Sequence, residues 1–263
     1  MQHSALLNVM IAAARKAART LKRDFGEVEN LQVSLKGPGN FVTAADRKAE
    51  ETLKAELAKA RPGYSFLGEE SGSHAGTDTT HTWIVDPLDG TTNFLHGIPQ
   101  FAISIGLERS GTIVAGVIYN PITDELFVAE RGKGAFLNDK RLRVAARKRL
   151  ADSVIACGLP HLGRGDLDLG LRELSAVQDK VAGLRRFGAA ALDMAFVAAG
   201  RLDGYWERNI SPWDIAAGII ILREAGGFGT DIDGADAMFT KKHVVAGNET
   251  IQRELQRLLK AAG

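Results

Sequence analysis

Trp83-Ile84-Val85-Asp86-Pro87-Leu88-Asp89-Gly90-Thr91-Thr92-Asn93 is the stretch that decides how the chain folds. Ile84 and Val85 read as the end of a buried strand. Pro87 and Gly90 then punctuate a tight turn that carries Asp86 and Asp89. Two carboxylates on a turn converge better than two on a strand, and converging carboxylates bridge hard cations. Thr91, Thr92 and Asn93 stand where a helix can begin, so the amides of Gly90, Thr91 and Thr92 point toward an anion. A metal-ready turn beside an anion-ready helix start is the pattern of phosphate ester chemistry. The same residues also suit an acidic surface turn, since Asp-Pro and Asp-Gly are common turn dipeptides. The rest of the chain decides between the two.

Upstream, the apolar run Ser65-Phe66-Leu67 ends in Gly68-Glu69-Glu70-Ser71-Gly72; downstream, Ser211-Pro212-Trp213-Asp214 forms a second acidic turn. Taken alone, Glu69 and Glu70 are solvated surface. Ser211 as N-cap, Pro212 at the first helical position and Asp214 two residues later complete a capping box, and Asp46 does the same with Thr43. Each of these aspartates therefore has a purely structural account. Each also has a functional one, as a further oxygen ligand for a centre built on Asp86 and Asp89. All four acidic clusters follow strands or open helices, elements whose ends gather at a sheet edge. Crowded carboxylates repel unless cations lie between them, and oxygen-only ligands favour Mg²⁺ or Mn²⁺ over zinc. There is no His/Cys cluster to hold zinc, and His96 and His161 are isolated. Cys157 sits beside an apolar run and reads as core. Ser104 lies within a strand and has no local signature of an activated nucleophile.

A chain of 263 residues suits one large domain or two fused lobes with a sizeable core. Hydrophobic residues at 45% and charged residues at 25% are the ordinary globular balance, and a net charge of +1 excludes a global field that recruits nucleic acid or an acidic membrane. One cysteine excludes an internal disulfide framework and fits a reducing compartment. No apolar run reaches the length of a membrane span, and Met1-Gln2-His3-Ser4 does not open a secretory signal. The expected location is cytoplasmic.

Leu6, Val9, Met10, Ala13, Ala17 and Leu21 fall at helical spacing and predict an amphipathic helix over 4–24, closed near Gly26. Lys36-Gly37-Pro38-Gly39-Asn40 reads as a flexible loop with one cation, and Thr43 opens a helix that runs to Pro62. Ser73 to His81 is a polar loop. Residues 101–107, 112–119 and 126–128 predict an antiparallel meander, with a further hairpin in Gly132 to Asn138. Arg141 to Arg149 holds five basic residues. It reads as a solvated link between lobes at 1–145 and 146–263, because a nucleic-acid patch would interleave aromatic residues. Beyond it, strands at 154–156, 181–187, 204–206 and 244–246 alternate with helices at 167–180, 188–199, 212–225 and 249–261, the pattern of a layered α/β lobe.

Gly68-Glu69-Glu70-Ser71, Trp83 to Asn93, Gly188 to Tyr205-Trp206-Glu207, and Trp213-Asp214-Ile215-Ala216-Ala217-Gly218 together resemble the inositol monophosphatase family of metal-dependent phosphatases. Arg185-Arg186-Phe187-Gly188-Ala189-Ala190-Ala191-Leu192-Asp193 is similar to the bacterial inositol-1-monophosphatase group. The resemblance implies an α/β (α+β) fold, a layered αβαβα sandwich of the inositol monophosphatase and sugar phosphatase type, assembled as a homodimer. It implies hydrolysis of a small phosphorylated polyol, inositol 1-phosphate, by water activated by two or three Mg²⁺ ions, with Mn²⁺ as substitute and Li⁺ as inhibitor. By resemblance, Glu69, Asp86 and the Leu88 carbonyl bind a first metal, and Asp86, Asp89 and Asp214 a second. Glu69 holds a third through water, with Glu70 as a further acidic candidate. Asp46 and Thr91 orient the attacking water, and Gly90, Thr91 and Thr92 cradle the phosphate. Asp89, Gly188, Ala190 and Glu207 meet the polyol, and Lys36 lies near the site.

Two segments depart from the family pattern on the expected substrate side: Gly158-Leu159-Pro160-His161 and Arg208-Asn209-Ile210-Ser211. Related folds act on fructose 1,6-bisphosphate, 3′-phosphoadenosine 5′-phosphate or histidinol phosphate, and the metal motif does not separate these. A reading of another class is a regulatory protein with a nucleic-acid or transcription-machinery partner in RNA metabolism, supported in the sequence by Arg141 to Arg149 alone.

Overall fold

Leu7, Met10, Ala14, Ala17 and Leu21 recur every three or four residues, and helix α1 (Ala5–Phe25) buries that stripe. The computed structural model describes residues 3–25, 27, 33–37, 40–160 and 165–263, with the side chains of 33–37 and 40–42 excepted. Strands β1 (Val33–Gly37) and β2 (Asn40–Thr43) pair antiparallel. Lys36 therefore lies on a strand where the sequence predicts a loop. The pairing of Gly37 with Asn40 gives the segment ladder partners that local composition does not reveal. The side chain of Lys36, the helix stop at Gly26 and His161 lie outside the described residues.

The first half continues through α2 (Ala44–Ala60), β3 (Tyr64–Gly68), β4 (Gly72–His74), β5 (Asp78–Asp89), α3 (Thr91–Leu95), β6 (Ala102–Arg109), β7 (Thr112–Asn120), β8 (Glu125–Glu130), β9 (Gly134–Leu137) and β10 (Lys140–Arg141). The second half contains β11 (Val154–Cys157), α4 (Leu167–Gln178), β12 (Gly183–Arg185), α5 (Ala190–Ala198), β13 (Gly204–Arg208), α6 (Pro212–Glu224), β14 (Phe228–Thr230), α7 (Met238–Lys241), β15 (His243–Gly247) and α8 (Glu249–Ala262). An eight-stranded sheet has the order β10-β9-β8-β7-β6-β5-β3-β4, and a five-stranded sheet the order β12-β11-β13-β15-β14. The predicted polar loop from Ser73 to His81 is replaced by the start of β5, where Asp78 pairs with Tyr64 and His81 with Arg109, and by most of β4, which pairs with Phe66 and Leu67 at the sheet edge. Polar residues are at home on such an edge strand.

The pleat sorts side chains into layers. Trp83, Val85, Ile103, Ile105 and Leu107 pack with α1 and α2. Ile84 and Ala102, on the other face, pack with α5 and α6. Helix α6 is buried along its whole length from Ile215 to Leu222, as a helix between two sheets must be. Beyond the second sheet, Cys157, Trp206 and Val245 pack with Val177 of α4 and with Ile251, Leu255 and Leu259 of α8. The layers run α1/α2, sheet, α5/α6, sheet, α4/α8, which is the αβαβα sandwich the resemblance implies.

Helix α6 sits directly on backbone. Gly106 pairs with Gly116 across β6 and β7. A Cβ on Gly116 would stand 2.6 Å from Ile220 Cγ2 and 2.7 Å from the Ala217 carbonyl. Gly116→Ala is expected to destabilise the protein by about 1–3 kcal/mol through overpacking. Urea unfolding measures it, and an unchanged midpoint would refute the close seat of α6.

The five basic residues of the connection are exposed, as the sequence predicts, and one of them also anchors a buried carboxylate. Asp203 is buried and accepts the Val154 amide at 2.9 Å, and Arg147 Nε meets the same carboxylate at 2.6 Å. A buried carboxylate needs such a partner. Among the described residues, no helix is long and apolar enough to cross a membrane.

Candidate active site

The site is built where β5 ends. Its pairing with β6 runs in register from His81 opposite Arg109 to Asp86 opposite Ser104, then slips before Asp89 meets Ala102. Pro87, which has no amide to give a ladder, lies in the slip. The Leu88 amide turns inward and donates to Asp86 Oδ1 at 2.9 Å. Gly90 follows with φ +92°, a left-handed conformation that favours glycine. A Cβ there would also lie 2.9 Å from the Gln100 carbonyl.

Each remaining carboxylate arrives on its own element. The Glu69 amide donates to Val85 O at 3.2 Å, extending the parallel β3–β5 ladder by one residue and placing Glu69 beside the approach to Asp86. Asp46 is the third residue of α2. Its Oδ2 accepts the Thr43 amide at 2.8 Å and the Thr43 hydroxyl, while Oδ1 accepts the Thr91 hydroxyl at 3.1 Å. The helix cap and the tie to Thr91 therefore coexist, one on each oxygen. Asp214 likewise accepts the Ser211 amide at 2.7 Å as a helix cap. Ser104, the residue opposite Asp86, donates its hydroxyl to the Trp213 carbonyl at 3.2 Å, which ties the first turn of α6 to the end of β5. Asp89 accepts the Ala190 amide at 3.2 Å and the Ala191 amide at 2.7 Å, joining the two halves of the chain. These are otherwise unpaired donors at the positive end of α5.

The electrostatics follow from that crowding. Burial first, then Glu69, Asp89 and Asp214, push the Asp86 carboxyl well above the ordinary carboxylate range, with the Leu88 amide opposing. Burial raises Asp89 to about 7, against the Ala191 amide and with help from Glu207 and Glu69. Asp214 is raised well above its ordinary value by burial and by Asp89. Asp46 is raised by burial, with its Thr43 and Thr91 hydrogen bonds opposing. Among the described residues, no three His, Cys, Asp or Glu side chains already enclose one metal-sized point. The donor chemistry nevertheless fits a hard cation: carboxylate oxygens that raise one another's pKa are relieved by positive charge between them, and no soft ligand takes part. Asp86, Asp89 and Asp214 are each raised by carboxylate neighbours that include Glu69. Of the adjacent pair, Glu69 is the one that acts on the aspartates.

Gly188 precedes α5 with φ +76° and is exposed. Ala190 spends its amide on Asp89. Glu207 lies at the end of β13, where the Tyr205 hydroxyl donates to its carboxylate. A Cβ on Gly158 would fall 1.9 Å from Glu207 Cδ, so Glu207 rests against that glycine. Arg208 is committed elsewhere: it meets buried Glu173 of α4 at 2.6 Å. Strand alternation sends Glu207 and Arg208 to opposite faces. Cys157 is buried and its thiol is pushed up to about 12 by burial, so it is core as expected.

Three supporting residues were not legible beforehand. Asn93 Nδ2 donates to Gln100 O and to Phe187 O, both at 2.7 Å, clipping α3 to the segment before Gly188. Buried Asp193 faces Glu207 and Asp89 electrostatically. Glu50, one helical turn after Asp46, accepts the Glu70 and Ser71 amides at 2.8 and 2.7 Å. The available signal for Glu50 was a charge bordering the buried stripe Ala45, Ala49, Leu53 and Leu57.

The sequence profile of the inositol monophosphatase family matches residues 2–262. The inositol-1-monophosphatase of Mesorhizobium japonicum is 65% identical over 99% of this chain and 98% of its own. The Nus factor SuhB of Pseudomonas aeruginosa is 42% identical over 92% of this chain and 91% of its own. The crystal structure of the extragenic suppressor protein suhB from Bartonella henselae is 62% identical and superposes with a TM-score of 0.95, covering 98% of this chain and 99% of that one. The layered fold and the clustered carboxylates, with these relatives, define a phosphatase. The chain belongs to the inositol monophosphatase family.

Proposed function

We propose that the chain is a Mg²⁺-dependent phosphomonoesterase that hydrolyses inositol 1-phosphate to myo-inositol and phosphate, working as a homodimer in the cytoplasm. The observation that carries this reading is the meeting of Glu69, Asp86, Asp89 and Asp214 at the end of β5, next to the helix start at Gly90. Mg²⁺ held by these carboxylates and the Leu88 carbonyl would supply Lewis-acid chemistry, lowering the pKa of water from ~15.7 toward ~7. The chain's own groups do the rest. Thr91 gives its proton to Asp46 or to the Leu88 carbonyl, each 3.1 Å away, which leaves its oxygen free to accept from an attacking water. Asp46, already raised in pKa, is suited to take a proton. The amides of Gly90, Thr91 and Thr92 stand at the start of α3, where helix geometry turns them toward phosphate oxygens. Glu207, held by Tyr205, accepts from polyol hydroxyls.

The test is phosphate release from inositol 1-phosphate with and without Mg²⁺, with Mn²⁺ in its place, and with added Li⁺. Mg²⁺-dependent release that Li⁺ inhibits is expected. Faster release from fructose 1,6-bisphosphate, 3′-phosphoadenosine 5′-phosphate or histidinol phosphate would move the substrate assignment. A second reading, a partner in the transcription machinery, is supported by the name of the P. aeruginosa relative. The basic run adds little to it, because Arg147 is engaged by Asp203. Full replacement of the wild type in cells by an inactive Asp89 variant would favour that role.

A further inference from the structure

Glu50 is 2% exposed, yet nothing in its own helix requires a charge there. Four residues before it, Asp46 is held to Thr91, so one face of α2 carries both side chains toward the site. The chain leaves the β3–β5 ladder at Glu69, whose amide makes the last bond of that ladder, to Val85. The next two amides have left the ladder, and the Glu50 carboxylate takes one on each oxygen: Glu70 N on Oε2 at 2.8 Å and Ser71 N on Oε1 at 2.7 Å. The fit is close, since a Cβ on Gly68 would lie 2.5 Å from Glu50 Oε2.

We infer that Glu50 is a positioning residue of the metal centre: it clamps the turn that begins at Glu69 and so holds the Glu69 carboxylate toward Asp86. The inference rests on the metal-dependent reading given above. Glu69 is tied to the sheet through its amide and Val85, and the turn it opens closes where Gly72 pairs with Gly68. Between those two anchors Glu50 fixes the orientation of the Glu70 and Ser71 peptides, and with it the direction in which the turn presents Glu69. A ligand that must be ordered when the ion binds lowers affinity, and loss of a partner behind a ligand typically costs 10–100-fold. Asp46 and Glu50 share one helix, so the same rigid element sets the residue that orients water and the turn that carries a ligand.

The substitution to make is Glu50→Gln, which keeps the shape and one acceptor but sets an NH₂ group against the second amide. Two measurements are made on the full chain. The first is a thermal-shift titration with Mg²⁺ alone, and the second is hydrogen exchange of the Glu70 and Ser71 amides without metal. The half-saturating Mg²⁺ concentration is expected to rise about tenfold or more, and both amides are expected to exchange faster. A general loss of stability would lower the melting temperature and leave the Mg²⁺ midpoint in place. A midpoint within twofold of wild type, with protection at Glu70 and Ser71 retained, would overturn the inference. If wild type itself shows no response to Mg²⁺, the metal-dependent reading fails, and the Glu50 role falls with it. Should Glu50→Gln not fold, Glu50→Asp keeps the charge, shortens the arm and is expected to shift the midpoint in the same direction.

Discussion

Asp89→Asn is expected to fold and to lose about 1000-fold or more in turnover, roughly 4 kcal/mol of transition-state stabilisation. The fold survives because the asparagine oxygen still accepts the stronger bond, from the Ala191 amide at 2.7 Å. The Ala190 amide loses its acceptor, which costs about 1–3 kcal/mol. Removing a charge that repels Glu69 and Glu207 offsets part of that cost. The rise of Asp89 to about 7 has the same meaning: without a cation, the neutral form is well tolerated. Function does not survive, because one of the carboxylates proposed to hold Mg²⁺ has become a neutral amide. The measurement is phosphate release at saturating Mg²⁺ beside a thermal melt. A folded variant within tenfold of wild type would sink the metal-ligand role of Asp89.

Mg²⁺ is expected to raise the melting temperature, and to raise it more at pH 8 than at pH 5. An ion that binds only the native state at a hundred times its Kd adds about 2.7 kcal/mol. At about 2–4 °C per kcal/mol, that is about 5–10 °C. The pH dependence follows from the directions of the shifts. Asp86, Asp89 and Asp214 have raised pKa values in the folded chain, so the native state holds more protons than the unfolded one. The stability this contributes is complete below the ordinary carboxylate range and is lost as pH rises, through about 7 for Asp89. Over the same window the ion gains deprotonated ligands and relieves their repulsion. A flat response to millimolar Mg²⁺ at pH 8, or a larger shift at pH 5, would refute the cation site.

Local sequence went far for this chain because its site is built from short, punctuated motifs. Asp86-Pro87-Leu88-Asp89-Gly90 declares a turn by its own chemistry: proline cannot continue a ladder, and glycine can take a left-handed φ. The spacing in α1 marks an amphipathic helix before any contact is known. The two capping aspartates were also legible, because a capping box is written within four residues.

Tertiary structure decided everything that depends on a partner distant in the chain. Whether Asp46 was only a cap turned on Thr91, forty-five positions away. That the Ala190 amide meets Asp89 turned on a hydrogen bond across 101 positions. Arg208 looked like a substrate-side departure until β13 sent it to Glu173. The role of Glu50 turned on the Glu70 and Ser71 amides, twenty and twenty-one positions away. Backbone amides carry no residue identity, so no sequence pattern marks the ones that leave a ladder and need a carboxylate. Turns, caps and apolar faces are local physics and can be read from the residues, while which oxygen meets which amide is settled only when the sheets and helices pack.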